Sequence, residues 1–174
     1  TTFFASTEGC RKVTGETRVP SRRVEVTAAR AEIVAQASSE LRSARAGGPE
    51  VQIFATDIDE RALAQARRGA YPESIADSVG PERLRRFFIK RGKRYHVAKE
   101  LRGLCLFAAH NVISDPPFSR LDLISCRNLL IYMGGELQKK LIPLFHYALN
   151  PGGALFLGTS ETVGEFADLF ATLD

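Results

Sequence analysis

The sequence predicts an α/β fold: buried strands alternating with helices, with a small β-hairpin beside them. Short continuous apolar runs at residues 51–56, 104–108, 121–126 and 154–157 lack the in-out alternation of a half-exposed strand. They fit parallel strands covered on both faces. Helical periodicity fills the intervals, notably at 60–67 and 136–149. The 174 residues are 44% hydrophobic and 25% charged, which is ordinary for one globular core.

Residues 5–50 and 51–174 differ in character. Large apolar side chains are sparse between residues 5 and 50. Residues 6–22 mix Gly, Thr, Ser, Pro and Arg without period and read as loop. The Ala-rich run at 28–46 favours a helix. Its apolar face is thin, limited to Ile33, Val34, Ala37 and Leu41, and Gly47-Gly48-Pro49 ends it. The strand at 51–56 stops at Asp57-Ile58-Asp59, and the next helix, through Leu63 and Ala66, closes at Gly69. Pro81 opens a helix whose apolar face is Leu84, Phe87 and Phe88. Residues 90–97 form a hairpin turning at Arg91-Gly92-Lys93. In the helix at 136–149, Leu137, Leu141, Leu144, Phe145 and Ala148 face inward. Asn150-Pro151-Gly152-Gly153 breaks that helix before the strand at 154–157.

Several functional classes are excluded. The net charge of +4 is not that of a nucleic-acid tail. No run approaches the roughly 18 apolar residues of a membrane span. Three cysteines without CxxC spacing indicate neither a disulfide framework nor a zinc knuckle, and no cluster has metal-ligand spacing. A reducing, cytoplasmic setting follows. The chain starts Thr-Thr-Phe-Phe with no signal-peptide pattern and ends in an amphipathic segment at 165–170, so a piece of a longer protein is expected.

Ligands of open α/β sheets bind beyond the carboxyl ends of the strands, which points to the residues after Thr56, Ala108, Ile124 and Leu157. Asp57 suits two roles there. Its carboxylate can accept from both ribose hydroxyls of a nucleotide, and Asp also caps helix N-termini. Asn111, next to Val112, offers a donor and an acceptor for an adenine edge, or opens a turn. Asp115-Pro116-Pro117-Phe118 reads as a stiff surface turn. Ser125-Cys126-Arg127-Asn128 is a polar cluster at the end of a buried strand, costly unless partnered. Cys126 reads as a small buried thiol rather than a nucleophile.

At these residues a family resemblance emerges. FATDID at 54–59, AR-x-G-x-Y at 66–71, HN at 110–111, DPPFSRLDLISCRNLLIYM at 115–133 and NPGGALFLGTSE at 150–161 resemble the C-terminal domain of CheR. CheR is the methyltransferase of chemotaxis receptors. The resemblance implies a three-layer Rossmann-like S-adenosylmethionine-dependent methyltransferase fold with a small β-hairpin subdomain. Residues 51–174 carry it, and residues 1–50 are a diverged N-terminal part. The implied reaction is methyl transfer to glutamate side chains of chemoreceptors, leaving S-adenosylhomocysteine. A glutamate with a pKa of about 4.3 is already ionised at neutral pH, so no base is needed. The task is alignment and water exclusion.

By resemblance, Asp57 holds the ribose hydroxyls, and Asn111 with Val112 contacts the adenine. Arg127 and Asn128 face the amino-acid end of the cofactor, and Thr1 is a further cofactor contact. Tyr132 lies beside the methyl group and the acceptor carboxylate. No metal is implied. The wording of residues 110–132 is most similar to CheR domains fused to a CheB methylesterase and sensory domains.

Two departures stand against the pattern. Ala5 occupies the place of an arginine, whose guanidinium it cannot replace. The glycine-rich loop expected about 25 residues before Asp57 is missing, since residues 30–38 contain no glycine. They favour an alternative, an inactive CheR-like remnant that docks on receptors or scaffolds its fusion partners. Nine Lys or Arg lie in residues 83–102. That stretch reads either as a solvated hairpin or as a dock for acidic receptor helices; no nucleic-acid-binding motif accompanies it.

Overall fold

The computed structural model describes residues 2–6, 22–27 and 51–173, the first two segments and residue 173 by backbone alone. The expected helix at 28–46, most of the 6–22 loop, Cys10 and Thr1 lie outside the described residues.

Among the described residues, seven strands form the main sheet: β1 (Thr2–Ser6), β2 (Arg22–Thr27), β3 (Val51–Asp57), β7 (Cys105–Ala109), β8 (Leu121–Cys126), β9 (Leu149–Leu157) and β10 (Phe170–Leu173). Their order is β10-β1-β9-β8-β2-β3-β7. The block from β9 to β7 is parallel, whereas β1 runs antiparallel to both β9 and β10. From β2 the chain builds outward through β3 and β7, then returns to place β8 and β9 on the other side. The strand order therefore reverses between β2 and β8, which is where such sheets open a ligand crevice. Strand β2 falls just past the aperiodic 6–22 stretch, on a short alternation with only Val24 and Val26 as large apolar residues. Its neighbours on both sides supply the ladder that its own sequence does not advertise.

The strands alternate with helices α1 (Glu60–Arg68), α2 (Ile75–Val79), α3 (Pro81–Phe87), α4 (Lys99–Arg102) and α5 (Gly135–Ala148). Strands β4 (Ala70–Pro72), β5 (Phe88–Arg91) and β6 (Arg94–Val97) make a separate antiparallel sheet in the order β4-β6-β5. Phe88, expected on the helix face after Pro81, opens β5 instead; it remains buried, so its apolar contact is kept in a different element.

Period-two alternation of β3 covers the sheet on both faces. Ile53 and Ala55 pack with Phe87, Phe88, Val97 and Leu101. Phe54 turns to the other cluster, where Leu141, Ile142, Phe145 and Ala148 of α5 meet Ile124, Leu155 and Leu157. Each such fully buried aliphatic side chain stabilises the fold by about 1.5–3 kcal/mol.

Two expectations need correction. Strand β7 is continuously apolar but not buried on both faces: it is the sheet's edge, and Leu106 is half exposed. Asn150-Pro151-Gly152-Gly153 does not separate helix from strand. It forms a bulge within β9, since Leu121 pairs with Leu149 but Leu123 with Ala154. Gly153 is required there because a Cβ would come 2.9 Å from the Asn150 carbonyl.

Candidate functional site

The candidate site lies at the carboxyl ends of β3, β7 and β8, beside the reversal of strand order. Asp57 is the last residue of β3, and its carbonyl accepts from the N–H of His110 just past β7. Asp57 does not cap α1. That role belongs to Asp59, whose carboxylate accepts from the Arg61 N–H at 2.8 Å. Asp57 Oδ1 takes the Asp59 N–H at 3.0 Å, and its Oδ2 has no partner among the described residues. The carboxylate is thus oriented by a local turn with one oxygen open for a ligand donor.

Beyond β7 the chain makes a tight loop. Asn111 Oδ1 accepts from the Ile113 N–H at 3.0 Å, so Asn111 opens a turn. Its own N–H donates to Asp115 Oδ2 at 2.7 Å, and the Ser114 hydroxyl donates to Asp115 Oδ1 at 3.0 Å. These bonds, that from the Asn111 backbone foremost, hold the Asp115 carboxyl below the usual carboxylate range. Val112 packs against the core around α5, which fixes the loop to the sheet. Phe118 stacks on Phe54 with ring centroids 5.0 Å apart and lies 4.8 Å from the His110 ring. The Pro-Pro-Phe segment is therefore anchored inward rather than being a mere surface turn.

The turn after β8 is the most constrained part of the site. Cys126 is buried, in keeping with a packing thiol. Arg127 lies over the Phe156 ring, 5.1 Å from its centroid, and its Nε is buried without a hydrogen-bond partner among the described residues. Asn128 adopts the left-handed conformation, φ +59°. A short 3-10 helix, Leu130–Tyr132, follows, and it leaves Tyr132 82% exposed.

Two side chains hold this turn, and sequence reasoning singled out neither. Glu161, only 7% exposed, accepts from the N–H groups of Asn128 (2.9 Å), Leu129 (2.8 Å), Leu130 (2.8 Å) and Gly158 (2.6 Å). Gln138 of α5 donates from Nε2 to the Leu130 and Met133 carbonyls, each at 2.9 Å. In sequence, Glu161 is the last residue of the NPGGALFLGTSE run with no role assigned to it; only the closing of that loop onto the β8 turn reveals its partners.

The fold brings Asp57 and Asn111 together across the β3–β7 pair, with Arg127 and Asn128 at the same end of the sheet. Tyr132 stands on the exposed helix beyond them. Thr2 pairs with Leu157, the last residue of β9, so β1 enters the sheet from this end. Ala5 lies farther along β1, opposite Ala154.

Residues 33–174 match the model of the CheR methyltransferase, SAM binding domain, family. The chain belongs to this family. It is 44% identical over 125 residues to a 104.1 kDa protein of the hypE 3' region in Rhodobacter capsulatus, an alignment covering 72% of this chain and 13% of that protein. It is 36% identical over 121 residues to chemotaxis protein methyltransferase 1 of Pseudomonas aeruginosa, covering 68% of this chain and 44% of that one. It is 37% identical over 125 residues to the chemotaxis protein methyltransferase of Vibrio parahaemolyticus, covering 70% and 46%. The chain thus spans less than half the length of each of these curated relatives. For a CheR domain the geometry is apt: an oriented acid, a buried guanidinium nitrogen without a partner among the described residues and a rigid polar turn lie at the end of the sheet where such folds bind nucleotides.

Proposed function

We propose that this chain binds S-adenosylmethionine and carries out methyl transfer to glutamate side chains of chemotaxis receptors. The observation that carries the reading is the Asp57 carboxylate at the end of β3, one oxygen held by Asp59 and the other open, within a CheR-family domain. The cofactor would supply a methyl group on a sulfonium, which departs as a neutral thioether. Asp57 accepts from the ribose hydroxyls. The loop of Asn111 and Val112 borders the adenine, although Asn111 Oδ1 is already engaged within its turn. Arg127 Nε and Asn128 face the amino-acid end, and Thr1 is a further proposed contact. Tyr132, on its exposed 3-10 helix, orients the acceptor carboxylate and moves no proton, because that carboxylate arrives ionised.

The family match, together with relatives named chemotaxis protein methyltransferase, favours a working domain over an inactive docking remnant. The finer parts of the reading rest on the sequence. Nine exposed Lys and Arg side chains between Arg83 and Arg102 suit acidic receptor helices in the cytoplasm. Fusion to CheB and sensory domains is proposed from the wording of residues 110–132. Among the described residues no helix is long and apolar enough to cross a membrane.

The test is incubation of the chain with methyl-labelled S-adenosylmethionine and a chemoreceptor signalling domain. Label released from the receptor as methanol by mild alkali, the mark of a carboxyl methyl ester, is the expected result. A folded chain that transfers no label overturns the reading.

A further inference from the structure

We infer that Glu161 is the positioning residue of the cofactor-facing turn after β8, an inference that rests on the methyltransferase reading above. A carboxylate buried to this degree is costly unless its oxygens are well satisfied. No Lys or Arg bridges Glu161 among the described residues. Oε1 takes the N–H groups of Leu129 and Leu130, while Oε2 takes those of Asn128 and Gly158.

Three of the four donors are consecutive, in a turn that starts from the left-handed Asn128. Successive N–H groups in such a turn form an anion-binding nest. Here the protein's own side chain fills the nest. Glu161 therefore fixes a turn whose left-handed start Asn128, unlike most non-glycine residues, accommodates readily. Gly158 belongs to the same device, because a Cβ there would lie 2.6 Å from Glu161 Oε2 and 3.3 Å from the Asn128 nitrogen. Gln138 secures the carbonyl side of the turn.

The consequence falls on function because of what the turn carries. Arg127 precedes the three bonded N–H groups, and Asn128 supplies the first of them. Losing the carboxylate would release both from the crevice while leaving the strands and α5 in place. Glu161 touches no substrate; it acts through the backbone of residues 128–130.

The probe is S-adenosylhomocysteine, titrated calorimetrically into the wild-type chain, Glu161→Gln and Leu101→Ala. Leu101 is buried against the small sheet, remote from the turn, so its truncation reports what general destabilisation alone does to binding. Glu161→Gln is expected to bind about tenfold or more weakly, with faster amide exchange at Asn128, Leu129 and Leu130. Leu101→Ala should keep wild-type affinity while losing thermal stability. Wild-type affinity in Glu161→Gln, or equal weakening in both variants, overturns the inference and leaves the methyltransferase reading intact. A wild-type chain that does not bind overturns that reading and the inference with it. Should Glu161→Gln fail to fold, Glu161→Asp, shorter by one methylene, must show the same weakening in smaller measure; unchanged affinity there also overturns the inference.

Discussion

The Asp59 N–H donates to Asp57 Oδ1 at 3.0 Å, while the Asp59 carboxylate caps α1 through the Arg61 N–H. Two acids two residues apart thus divide two tasks that either could fill. Asp59 starts the helix, and Asp57 is left at the strand end with an oxygen open. Their substitution should separate accordingly. Asp59→Ala removes an N-cap, costing about 1 kcal/mol. For a chain of this size that lowers Tm by about 2–4 °C. Asp57→Ala should change Tm less and weaken S-adenosylhomocysteine binding far more; thermal melts beside titrations of both variants check the division.

Tyr132 is 82% exposed, so removing its hydroxyl should leave Tm unchanged. Tyr132→Phe is expected to lower kcat about tenfold or more, each tenfold being about 1.4 kcal/mol of barrier. Cofactor affinity should stay as it is. Initial-rate methylation at saturating cofactor, paired with a binding titration, measures both.

Gly158 tolerates no side chain, because a Cβ would press on the Glu161 carboxylate. Gly158→Ala should destabilise the domain by about 1–3 kcal/mol, as overpacking of a tight site does. Denaturant unfolding gives the loss, and an unchanged midpoint would show that Glu161 yields freely.

The Asp115 carboxyl is lowered from its ordinary 3.8 by the Asn111 N–H and the Ser114 hydroxyl. A carboxyl depressed in the folded state contributes stability that is present above its unfolded value and lost as pH falls through the folded one. The 111–115 loop should therefore hold at pH 4 and open only as pH falls through the lowered Asp115 value. The amide signal of Asn111 should titrate with a midpoint under 3.8, and Asp115→Asn should abolish that titration.

Much of this architecture is legible in the chain. The apolar runs at 51–56, 104–108 and 121–126 and the Pro81 helix start mark elements that local pattern alone decides. Strand β2 is less legible, because Arg22, Arg23 and Glu25 leave it only Val24 and Val26 as large apolar residues, whereas its parallel neighbours β3 and β8 carry longer apolar runs. Phe88 shows the limit of periodicity: an apolar residue three or four places along a helix face can equally begin the next strand. The bulge at 150–153 reads as a helix stop, since Pro and Gly break both kinds of element. In the site, Asp57 and the polar turn after β8 stand out because polar residues ending an apolar run demand a reason. Glu161 closes the 150–161 motif, but its role is not legible there, since its partners are backbone N–H groups that no side-chain pattern encodes.

The most direct test of the account is calorimetric titration of this chain with S-adenosylhomocysteine, wild type against Asp57→Ala. The account predicts saturable one-to-one binding by the wild type, weakened about tenfold or more in a folded Asp57→Ala. Equal affinity in the two would contradict the assignment of Asp57. No binding by a folded wild-type chain would contradict the account as a whole.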